Sequence, residues 1–505
     1  MQLKEMLKDM NKYHLYGNQD TDITGICYDS RQVKPGYLFV AIKGNKKDGH
    51  SYIEDALAKG AAAIAGEEID SLHTDKIKIG VQQSRRALAE ISSAFYGHPY
   101  RELSLIGITG TSGKTTTAYV IESILQAEGV KTGVIGTINY RFKGKDYPAS
   151  VTTPESLDLM RLLREMSDND VSSVIMEVSS HALDQGRIGD CRFKVAIFTN
   201  LSRDHLDYHA DMEKYFQAKS LLFNSLEKGD PIEGPFAVIN IDDLKGKTLI
   251  SQTQASIITY GLKKEAQVRA EDIQLSRDGI RARLVLPTGE QQIRSSLIGE
   301  INLYNILAAV AVTYALKIDP THIAQGVERL KGVPGRLEKV KNTRGLSLIV
   351  DYAHKPDALL KTLQTLRPLT TGRLITVFGC GGDRDKGKRH EMGRIAGDHS
   401  GLVFVTSDNP RSEDPLEIIE QIEAGLSRSE LPKRKWPARL EDLSQGYFIE
   451  VDRRQAIEKA ITVATDEDLI LIAGKGHEDY QIIGDERRNF DDRVEAARIA
   501  NGIIG

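Results

Sequence analysis

The most regular feature of the sequence is a series of short apolar and β-branched runs, separated by stretches with the spacing of amphipathic helices. A strand that is apolar on both faces is typical of a parallel sheet covered by helices on both sides. The pattern therefore predicts an α/β fold. The runs are Leu103–Ile108, Val171–Val178, Lys194–Thr199, Ala237–Ile241, Leu346–Val350, Leu374–Phe378, Leu402–Thr406 and Leu469–Ala473.

Two turn-rich segments divide these runs into groups. Gly97–Glu102 precedes the first strand of the series, and Gly332–Arg336 separates a helical stretch from the strand Leu346–Val350. Proline and glycine at these points stop regular structure and suit domain boundaries. We therefore expect three domains, at residues 1–102, 103–335 and 336–505. Ligands of open α/β sheets bind at the carboxyl ends of strands, so the residues after each strand are the candidates for function.

Composition narrows the class of protein. The chain has 505 residues, of which 40% are hydrophobic and 27% charged, as in a soluble globular protein of several domains. A net charge of −4 provides no general attraction for nucleic acid, so we expect no nucleic-acid partner. The three cysteines, Cys27, Cys191 and Cys380, are too few and scattered for a disulfide framework or a thiolate metal site.

No segment predicts membrane insertion or export. The first nine residues carry charges of both signs and lack the apolar block of a signal peptide. The longest apolar stretch, Ile306–Leu316, is shorter than the ~18 residues that indicate a membrane span. We therefore expect a cytoplasmic protein with reduced thiols.

A phosphate-binding loop follows the first strand. Thr109–Thr116 has the sequence TGTSGKTT and opens a helix with an apolar face. The glycines let backbone N–H groups surround phosphate oxygens, Lys114 can reach the terminal phosphates, and the Thr115 hydroxyl can hold Mg²⁺. The loop departs from the general pattern in one place, because Ile108 occupies the position of its first glycine. ATP binding is predicted, but a kinase, an ATPase and a ligase all remain open.

Three further residues have chemistry that can be judged individually. Glu177 ends a buried strand, where an unpaired carboxylate is costly and a role as a hard oxygen ligand of Mg²⁺ would explain it. His205 is a less usual partner for Mg²⁺. Lys219 lies on an amphipathic helical stretch, and by residue type alone it is expected to be solvated.

Several segments, in this order, resemble the Mur ligase superfamily, and the resemblance covers the chain from Asp29 to about Asp492. The P-loop is one of these segments. The others are Met176–Leu183, Thr199–His209, Gly299–Asn305, Val333–Arg336 and Asp351–Asp357. The resemblance implies a central P-loop ATPase-type domain with a mostly parallel sheet, flanked by a smaller UDP-binding N-terminal α/β domain and a Rossmann-like C-terminal domain that binds an amino acid.

The resemblance also implies ATP and Mg²⁺ as cofactors and assigns residues to them. In that superfamily the lysine that matches Lys219 is carbamylated by CO₂, and the same modification would turn Lys219 into an anion. The implied catalytic residues are Lys114, Glu177, His205 and carbamylated Lys219. The implied metal ligands are Thr115, Glu177, His205 and Lys219. The implied ATP-binding residues are Gly110, Thr111, Ser112, Gly113, Lys114, Thr115, Thr116, Asn302, Asn305, Arg336 and Asp351.

A UDP-muramoyl dipeptide is the acceptor that the resemblance implies. Its uridine diphosphate would contact the segment around Asp29–Arg31 and the loop Asn45–Lys47. An arginine beside the dipeptide is reasonable because the dipeptide carries carboxylates. The implied residues for this substrate are Tyr28, Ser30, Asn45, Thr152, Thr153, Ser179, Gln185 and Arg187.

The segment Asp408–Arg411 resembles the branch of the superfamily that adds meso-diaminopimelate. Diaminopimelate ends in a second amino-acid group with a carboxylate, whereas lysine ends in a bare ammonium. Arg411 can pair with that carboxylate and would repel the ammonium of lysine. Arg384 can assist, and Glu478 can accept from the distal ammonium. The implied residues for the amino acid are Arg384, Asp408, Asn409, Pro410, Arg411, Gly474 and Glu478.

The expected function is therefore an ATP-dependent ligase that adds meso-2,6-diaminopimelate to UDP-N-acetylmuramoyl-L-alanyl-D-glutamate through an acyl phosphate, in peptidoglycan synthesis. We expect a monomer. Two alternatives remain. One is another ligase of the superfamily, such as a lysine-adding enzyme or a folylpolyglutamate synthase. The other is a P-loop kinase or an ATP-gated binding module that forms no amide bond.

Overall fold

A computed structural model describes residues 1–10, 12–44, 47–69, 72–230, 232–436 and 443–502 of the chain. The chain folds into two compact units. The first contains Met1–Tyr260 and Ala308–Asp319, and the second contains Gly261–Leu307 and Pro320–Gly505.

The first unit alternates strands and helices along most of its length. Its strands are β1 (Tyr13–Tyr16), β2 (Gly25–Cys27), β3 (Tyr37–Val40), β4 (Ala63–Gly66), β5 (Ile77–Val81), β6 (Ser104–Thr109), β7 (Thr132–Ile135), β8 (Asn139–Phe142), β9 (Lys145–Pro148), β10 (Ser173–Glu177), β11 (Phe193–Phe198), β12 (Phe236–Asn240) and β13 (Ser256–Tyr260). Its helices are α1 (Leu3–Met6), α2 (Ile53–Ala58), α3 (Ser84–Phe95), α4 (Lys114–Ala127), α5 (Ser156–Asp168), α6 (Ser180–Asp184), α7 (Leu206–His209), α8 (Met212–Asn224) and α9 (Leu244–Ile250).

These elements form two sheets. The smaller sheet has the order β1-β5-β4-β3-β2, in which only β1 is antiparallel to its neighbour. The larger sheet has the order β13-β12-β11-β6-β10-β7-β8-β9, with parallel strands from β13 to β7 and an antiparallel edge of β8 and β9. Strand β6 lies between β10 and β11, so the segments that follow these three strands reach one edge of the sheet.

The second unit has the same character. Its strands are β14 (Arg269–Leu275), β15 (Ile280–Leu286), β16 (Gly289–Ser295), β17 (Glu338–Lys339), β18 (Ser347–Asp351), β19 (Leu374–Phe378), β20 (Leu402–Val405), β21 (Gly446–Ile449), β22 (Leu469–Ala473), β23 (Tyr480–Ile483) and β24 (Glu486–Asn489). Its helices are α10 (Glu300–Ala315, of which the part from Ala308 belongs to the first unit), α11 (Pro320–Arg329), α12 (Pro356–Leu366), α13 (Gly387–His399), α14 (Pro415–Leu426), α15 (Arg453–Val463) and α16 (Asp492–Ala500).

The main sheet of the second unit has the order β17-β18-β22-β19-β20-β21 and is parallel except for β17. Strands β14, β15 and β16 form an antiparallel sheet, and β23 and β24 form a hairpin. Arg277, in the turn between β14 and β15, donates to the carbonyl oxygens of Leu369 and Asp466 at 2.8 and 2.9 Å. These bonds fasten the antiparallel sheet to loops of the main sheet.

Local sequence explains where several helices begin. The carboxylate of Asp211 accepts a hydrogen bond from the backbone N–H of Lys214 at the start of α8. Asp414 does the same for Leu416 at the start of α14. An aspartate at this position accepts from N–H groups that have no partner within the helix, and its charge suits the positive end of the helix dipole.

The predicted fold class is confirmed, because both large sheets are mostly parallel and covered by helices. Each of the eight apolar runs coincides with an observed strand to within two residues at either end. The described helices include none with the length and apolar character that crossing a membrane requires. All three cysteines are free and buried.

Candidate active site

The loop between β6 and α4 has the form that phosphate binding requires. Gly110 and Gly113 have φ angles of 144° and 87°, in the region that favours glycine. A Cβ atom on Gly110 would lie only 1.8 Å from the Oγ1 of Thr199, so a larger residue at this position would force Thr199 to move. The ammonium of Lys114 donates to the carbonyl oxygens of Gly110 and Thr111 at 2.8 and 2.9 Å. The Lys114 side chain thus lies against the phosphate-binding loop.

The segment after β11 holds the loop in place. The side-chain oxygen of Asn200 accepts from both the backbone N–H and the hydroxyl of Ser112 at 3.1 Å. Thr199 donates its hydroxyl to the carbonyl oxygen of Ser112 at 2.7 Å. The hydroxyl groups of Thr111 and Tyr215 lie 3.2 Å apart. The loop is therefore held in shape by side chains from the segment after β11 and from α8. The last residue of the predicted ATP loop, Thr116, is buried in the first turn of α4.

Glu177 lies at the end of β10 with 1% of its surface exposed. Its Oε2 accepts from the hydroxyls of Thr115 and Thr137 at 3.0 and 2.9 Å, and its Oε1 accepts from the backbone N–H of Thr137 at 3.0 Å. These bonds offset part of the cost of burying the carboxylate. They also place an anionic oxygen beside the P-loop threonine, so two of the side chains assigned to Mg²⁺ from the sequence lie in contact.

Lys219 contradicts the expectation drawn from residue type alone, because it is 1% exposed. Helix α8 turns it inward, and its Nζ donates to the carbonyl oxygen of Gly110 at 2.9 Å. The same Nζ lies 4.4 Å from the centre of the Tyr215 ring. Packing of α8 against the P-loop, which the helical periodicity does not reveal, removes this lysine from solvent.

His205 lies in a cluster of aromatic rings. Its ring centre is 4.8 Å from that of His181 and 6.0 Å from that of Tyr215. The ring of His181 also packs on Tyr208, with centres 4.1 Å apart. His205 has a φ of 52°, and its side chain is 38% exposed. Tyr215 thus contacts both His205 and Lys219, and it connects the histidine cluster to the loop.

Within the described ranges, no three His, Cys, Asp or Glu side chains gather closely enough to form a metal site. Two of the predicted metal ligands are not His, Cys, Asp or Glu: Thr115 would bind the ion through its hydroxyl, and Lys219 would bind it as a carbamate. Glu177 and Thr115 are in direct contact. Buried anionic and hydroxyl oxygens at a phosphate loop suit a hard cation, so the residues present fit Mg²⁺.

A second group of predicted residues meets beside β10. The hydroxyl of Thr153 donates to the carbonyl oxygen of Glu177 at 2.8 Å and accepts from the backbone N–H of Ser179 at 3.0 Å. Ser179 in turn caps α6 by accepting from Ala182. The hydroxyl of Thr152 lies 3.1 Å from that of Thr137, which contacts Glu177. The predicted dipeptide residues are therefore continuous with the predicted metal residues.

Gln185 and Arg187 belong to a charged network with two residues that were not predicted from the sequence, Glu155 and Arg85. The Nε of Arg187 donates to Gln185 Oε1 at 2.9 Å and lies 3.1 Å from Glu155 Oε1. The Nη1 of the same arginine donates to the carbonyl oxygen of Thr153. Arg85, on α3, contacts the same two partners, with 2.6 Å to Glu155 Oε1 and 2.8 Å to Gln185 Oε1. Nothing in the sequence around Arg85 indicates this contact.

A cavity of about 470 Å³ adjoins this network. Residues of α3 and of the end of α6 line it, including Arg85, Arg86, Asp184 and Gln185, together with Lys43. Both signs of charge are represented in its wall, and it is large enough for part of an organic ligand.

The predicted uridine diphosphate residues lie near the smaller sheet. The hydroxyl of Tyr28 donates to Asp158 Oδ2 at 2.6 Å, and burial of the ring raises the pKa of this tyrosine. Ser30 is buried and begins a short 3-10 helix, Ser30–Gln32. Asn45, like Lys46, lies outside the described residues.

In the second unit, two of the predicted ATP-binding residues are buried asparagines on α10. Asn302 donates from its side-chain amide to the carbonyl oxygen of Ile298 at 2.9 Å. Asn305 donates to the side-chain oxygen of Asn302 at 3.1 Å. The amides therefore orient one another at the start of the helix.

Arg336 and Asp351, also predicted to bind ATP, lie close together. Asp351 accepts hydrogen bonds from the backbone N–H groups of Leu337 and Ala353 and from the hydroxyl of Thr362. Burial nevertheless raises the pKa of this carboxyl group. Arg336 stacks over Tyr352, with the guanidinium carbon 4.7 Å from the ring centre. Its Nε is buried, and no hydrogen-bond partner for it exists among the described residues.

The segment after β20 carries Asp408, Asn409, Pro410 and Arg411. Arg411 has a φ of 53°, and backbone bonds with Ile482 and Gly484 hold it beside β23. Its Nη1 donates to the carbonyl oxygen of Gly382 at 2.7 Å. Pro410 also contacts Gly382, because a Cβ there would approach the Pro410 carbonyl to 1.8 Å.

The segment after β22 meets this group. Asn409 donates from Nδ2 to Glu478 Oε2 at 3.0 Å. A Cβ on Gly474, whose φ is 114°, would lie 2.9 Å from Asp408 Oδ2. Lys475, which the sequence did not single out, contacts Asp408, Asn409 and Glu478. Strands β20 and β22 lie on either side of β19, and their carboxyl ends bring together the group that we call the amino-acid pocket, which consists of Asp408, Asn409, Pro410, Arg411, Gly474, Lys475 and Glu478.

Arg384 is the exception among the predicted amino-acid-binding residues, because it is exposed, and within the described part of the chain its side chain makes a single long bond, of 3.4 Å, to the carbonyl oxygen of Asp383. A different arginine anchors this loop. Arg389 is fully buried and donates through both terminal nitrogens to Glu413 at 2.9 Å. This pairing lowers the pKa of Glu413 to about 2. Glu413 also accepts from the backbone N–H of Asp383 at 2.6 Å.

A P-loop on a parallel sheet, with a buried carboxylate beside its threonine, is typical of nucleotide-dependent enzymes. Family models identify the class further. The Mur ligase family catalytic domain matches residues 22–96, the Mur ligase middle domain residues 108–313, and the Mur ligase glutamate ligase domain residues 335–476. The chain belongs to the Mur ligase family.

Similar proteins extend over almost the whole chain. A UDP-N-acetylmuramoyl-L-alanyl-D-glutamate–2,6-diaminopimelate ligase of Geobacter metallireducens is 48% identical over 98% of both chains. The ligase of the same name from Bacillus licheniformis is 45% identical over 99% of both chains. A solved structure with that name has a TM-score of 0.69 at 31% identity, covering 99% of this chain and 98% of the other.

Proposed function

We propose that this protein is an ATP-dependent ligase that joins meso-2,6-diaminopimelate to UDP-N-acetylmuramoyl-L-alanyl-D-glutamate and so serves peptidoglycan synthesis. The observation that carries the proposal is the closeness of Arg411, Asn409 and Glu478, which brings a cation and an anion near each other. Such a pair suits the two charges of a distal amino-acid group. Relatives named for this reaction, at 48% and 45% identity, support it.

In the proposed mechanism the P-loop binds ATP through Gly110–Thr116. The substrate carboxylate attacks the γ-phosphorus, the bond to the bridging oxygen breaks, and an acyl phosphate and ADP form. Repulsion between the two anions is the chief barrier. Lys114 would neutralise charge on the transferred phosphoryl group, and the contact of its ammonium with the phosphate-binding loop supports this role. The amine of diaminopimelate then adds to the acyl carbon, loses a proton and expels phosphate, which leaves an amide.

Mg²⁺ belongs to this proposal. Its ligands would be Thr115, Glu177, His205 and a carbamate formed on Lys219, in which CO₂ adds to the neutral amine and a proton is released. When bound, the ion neutralises phosphate charge. For the remaining ATP contacts we propose Asn302, Asn305, Arg336 and Asp351. The buried Arg336 Nε supports this assignment, since an acceptor from a ligand would satisfy it.

The acceptor substrate is assigned to the first unit. We propose that Thr152, Thr153, Ser179, Gln185 and Arg187 hold the dipeptide. Arg187 can pair with one of its carboxylates. The uridine diphosphate is assigned to Tyr28, Ser30 and Asn45. The cavity of about 470 Å³ beside Arg85 and Gln185 supports the binding of part of this substrate in the first unit.

The predicted domain boundaries also remain a proposal. The first family model ends at residue 96 and the middle one begins at 108, which supports a boundary near 102. The third begins at 335, which supports the second boundary, whereas the middle one ends earlier, at 313. Residues 261–307 and 320–335, which those boundaries assign to the central domain, lie in the second compact unit. Limited proteolysis followed by sequencing of the fragments would locate the exposed connections.

One assay tests the proposed function. The protein is incubated with ATP, Mg²⁺ and the UDP-muramoyl dipeptide, with either meso-diaminopimelate or L-lysine, and the products are weighed by mass spectrometry. A gain equal to one diaminopimelate residue is expected. A gain equal to one lysine residue would favour a lysine-adding ligase. A phosphorylated dipeptide that never acquires an amino acid would favour a kinase.

Two expectations concern the protein as a whole. We propose that it acts in the cytoplasm, where nucleotide-linked precursors and ATP are available, and that it is a monomer. Light scattering after gel filtration tests the second point, with a single species of the mass of one 55.9 kDa chain as the expected result. Twice that mass would contradict it.

A further inference from the structure

Lys475 is a charged residue at the centre of the amino-acid pocket, and the reaction as described gives it no task. Its side chain is fully buried. The Nζ atom lies 3.3 Å from Asn409 Oδ1, 3.5 Å from Glu478 Oε2 and 3.7 Å from Asp408 Oδ1. The centre of the Tyr480 ring is 5.4 Å away. One ammonium group therefore contacts two carboxylates and a side-chain amide.

These contacts orient the pocket. The amide of Asn409 accepts from Lys475 and from the backbone N–H of Ile482 through its oxygen, and it donates to Glu478 through its nitrogen. Because the ammonium can only donate, it determines which way the amide points. Glu478 is thereby held by both Lys475 and Asn409, and one of its oxygens is committed to them.

Lys475 also sets the charge of the pocket. Burial raises the pKa of Glu478, and the nearby Asp408 raises it further, whereas Lys475 acts in the opposite direction. Without the ammonium, two buried carboxylates would face each other with less compensation, which is costly. With it, the pocket carries one negative charge fewer.

We propose that Lys475 is a specificity-determining residue of this pocket, because it removes the excess negative charge that would otherwise admit a diamino acid ending in a bare ammonium. This inference rests on the proposed function. A distal group with both an ammonium and a carboxylate has no net charge, whereas the end of lysine is a cation. A more negative pocket favours the cation and disfavours the carboxylate. Arg411 acts on the carboxylate directly, and Lys475 acts through Asp408, Asn409 and Glu478.

The test measures selectivity, defined as the ratio of kcat/KM for meso-diaminopimelate to that for L-lysine, with the full-length protein and saturating ATP, Mg²⁺ and dipeptide. Lys475→Met makes the pocket more negative by one charge. Selectivity is expected to fall at least about tenfold, because the interaction energy of two unit charges at these distances in a protein exceeds the energy that a tenfold ratio represents. Asp408→Asn changes the charge in the other direction and is expected to raise selectivity. The double variant Asp408→Asn/Lys475→Met restores the charge and is expected to return selectivity towards that of the parent.

A purely structural lysine gives a different pattern. Lys475→Met would then lower kcat/KM for both amino acids by the same factor, together with the thermal midpoint, and the ratio would not move; that result overturns the inference. If Lys475→Met does not fold, Asp408→Asn alone decides, because unchanged or lower selectivity in that variant also overturns it. If the parent protein adds neither amino acid to the dipeptide, the proposed function itself fails. If the parent is highly selective and every variant keeps that selectivity, the proposed function stands and only the inference about Lys475 fails.

Discussion

Lys114 and Lys219 donate hydrogen bonds to the same atom, the carbonyl oxygen of Gly110, at 2.8 and 2.9 Å. One lysine comes from the P-loop and the other from α8, so two cationic groups meet behind the phosphate-binding loop. Like charges this close repel each other, and more strongly in a buried site than in water. Conversion of Lys219 into a carbamate would replace the repulsion with attraction.

Carbamylation of Lys219 is therefore the first prediction. Native mass spectrometry at neutral pH is expected to show the mass of one added CO₂, which is lost on acidification. Lys219→Ala should abolish this addition and lower kcat at least about 10²-fold, the usual cost of removing a group that stabilises transition-state charge. Lys214→Ala, at an exposed position on the same helix, is the control and should change neither. A Lys219→Ala protein that still gains the added mass would refute the assignment.

Glu177 gives the second prediction. Glu177→Gln preserves shape but removes the charge that faces Thr115 and Thr137. We expect kcat to fall about 10²-fold to 10³-fold, while the free energy of unfolding changes by only about 1–3 kcal/mol. Glu122→Gln, which neutralises a carboxylate paired with Arg141 in the same unit, should keep its kcat. Turnover assays and urea denaturation separate the two quantities. If Glu177→Gln has the same kcat as the parent, the Glu177 carboxylate is not a catalytic group.

The network around Gln185 gives the third prediction. Arg85 and Arg187 both donate to Gln185 Oε1, so loss of Arg85 removes one of the two cationic donors that hold this amide. Arg85→Ala is expected to raise KM for the UDP-muramoyl dipeptide about tenfold or more, because charge-assisted hydrogen bonds contribute about 1.5–3 kcal/mol. The KM for diaminopimelate should stay constant. Arg192→Ala, an exposed arginine of the same unit, serves as the control. An equal rise in both KM values would show that Arg85 supports the fold only.

Arg411 is the subject of the fourth prediction. Arg411→Ala removes the guanidinium proposed to pair with the distal carboxylate, so the preference for meso-diaminopimelate over L-lysine should fall by about 10²-fold. Competition between the two amino acids in one reaction measures the preference directly. Arg394→Ala, on the exposed side of α13, should discriminate as the parent does. If Arg411→Ala also discriminates as sharply as the parent, the carboxylate must be recognised elsewhere.

The fifth prediction concerns pH. Burial lowers the pKa of His354 to about 3, so this histidine is neutral in the folded protein and binds a proton in the unfolded chain below its ordinary value of 6.5. The unfolded state therefore binds more protons between these values, and folded stability is lost as the pH falls below about 6.5. Urea midpoints measured from pH 7.5 to 5 should decline less in His354→Gln than in the parent. His390→Gln, at an exposed position, should follow the parent curve. Identical slopes for parent and His354→Gln would contradict the prediction.

Much of the fold could be read from short-range patterns. The runs Leu374–Phe378 and Leu469–Ala473 were predicted with the same ends that the strands have. Continuous apolar runs specify buried strands through burial alone, whatever the partner strand is. The P-loop was equally local, since its glycines, Lys114 and Thr115 lie within a few positions of one another.

The sequence by itself thus determined the α/β class, the strands and the phosphate loop, and its resemblance to a family indicated the reaction. Only the tertiary structure decided which charged residues are buried and what they contact. Lys219 meets Gly110 across 109 positions, Arg85 meets Gln185 across 100, and Lys475 meets Asn409 across 66. A lysine or arginine on a helix or loop has the same pattern whether it faces water or a neighbouring element. Its environment is set by the packing of distant segments, because side-chain electrostatics depend on distance in space and not on separation along the chain.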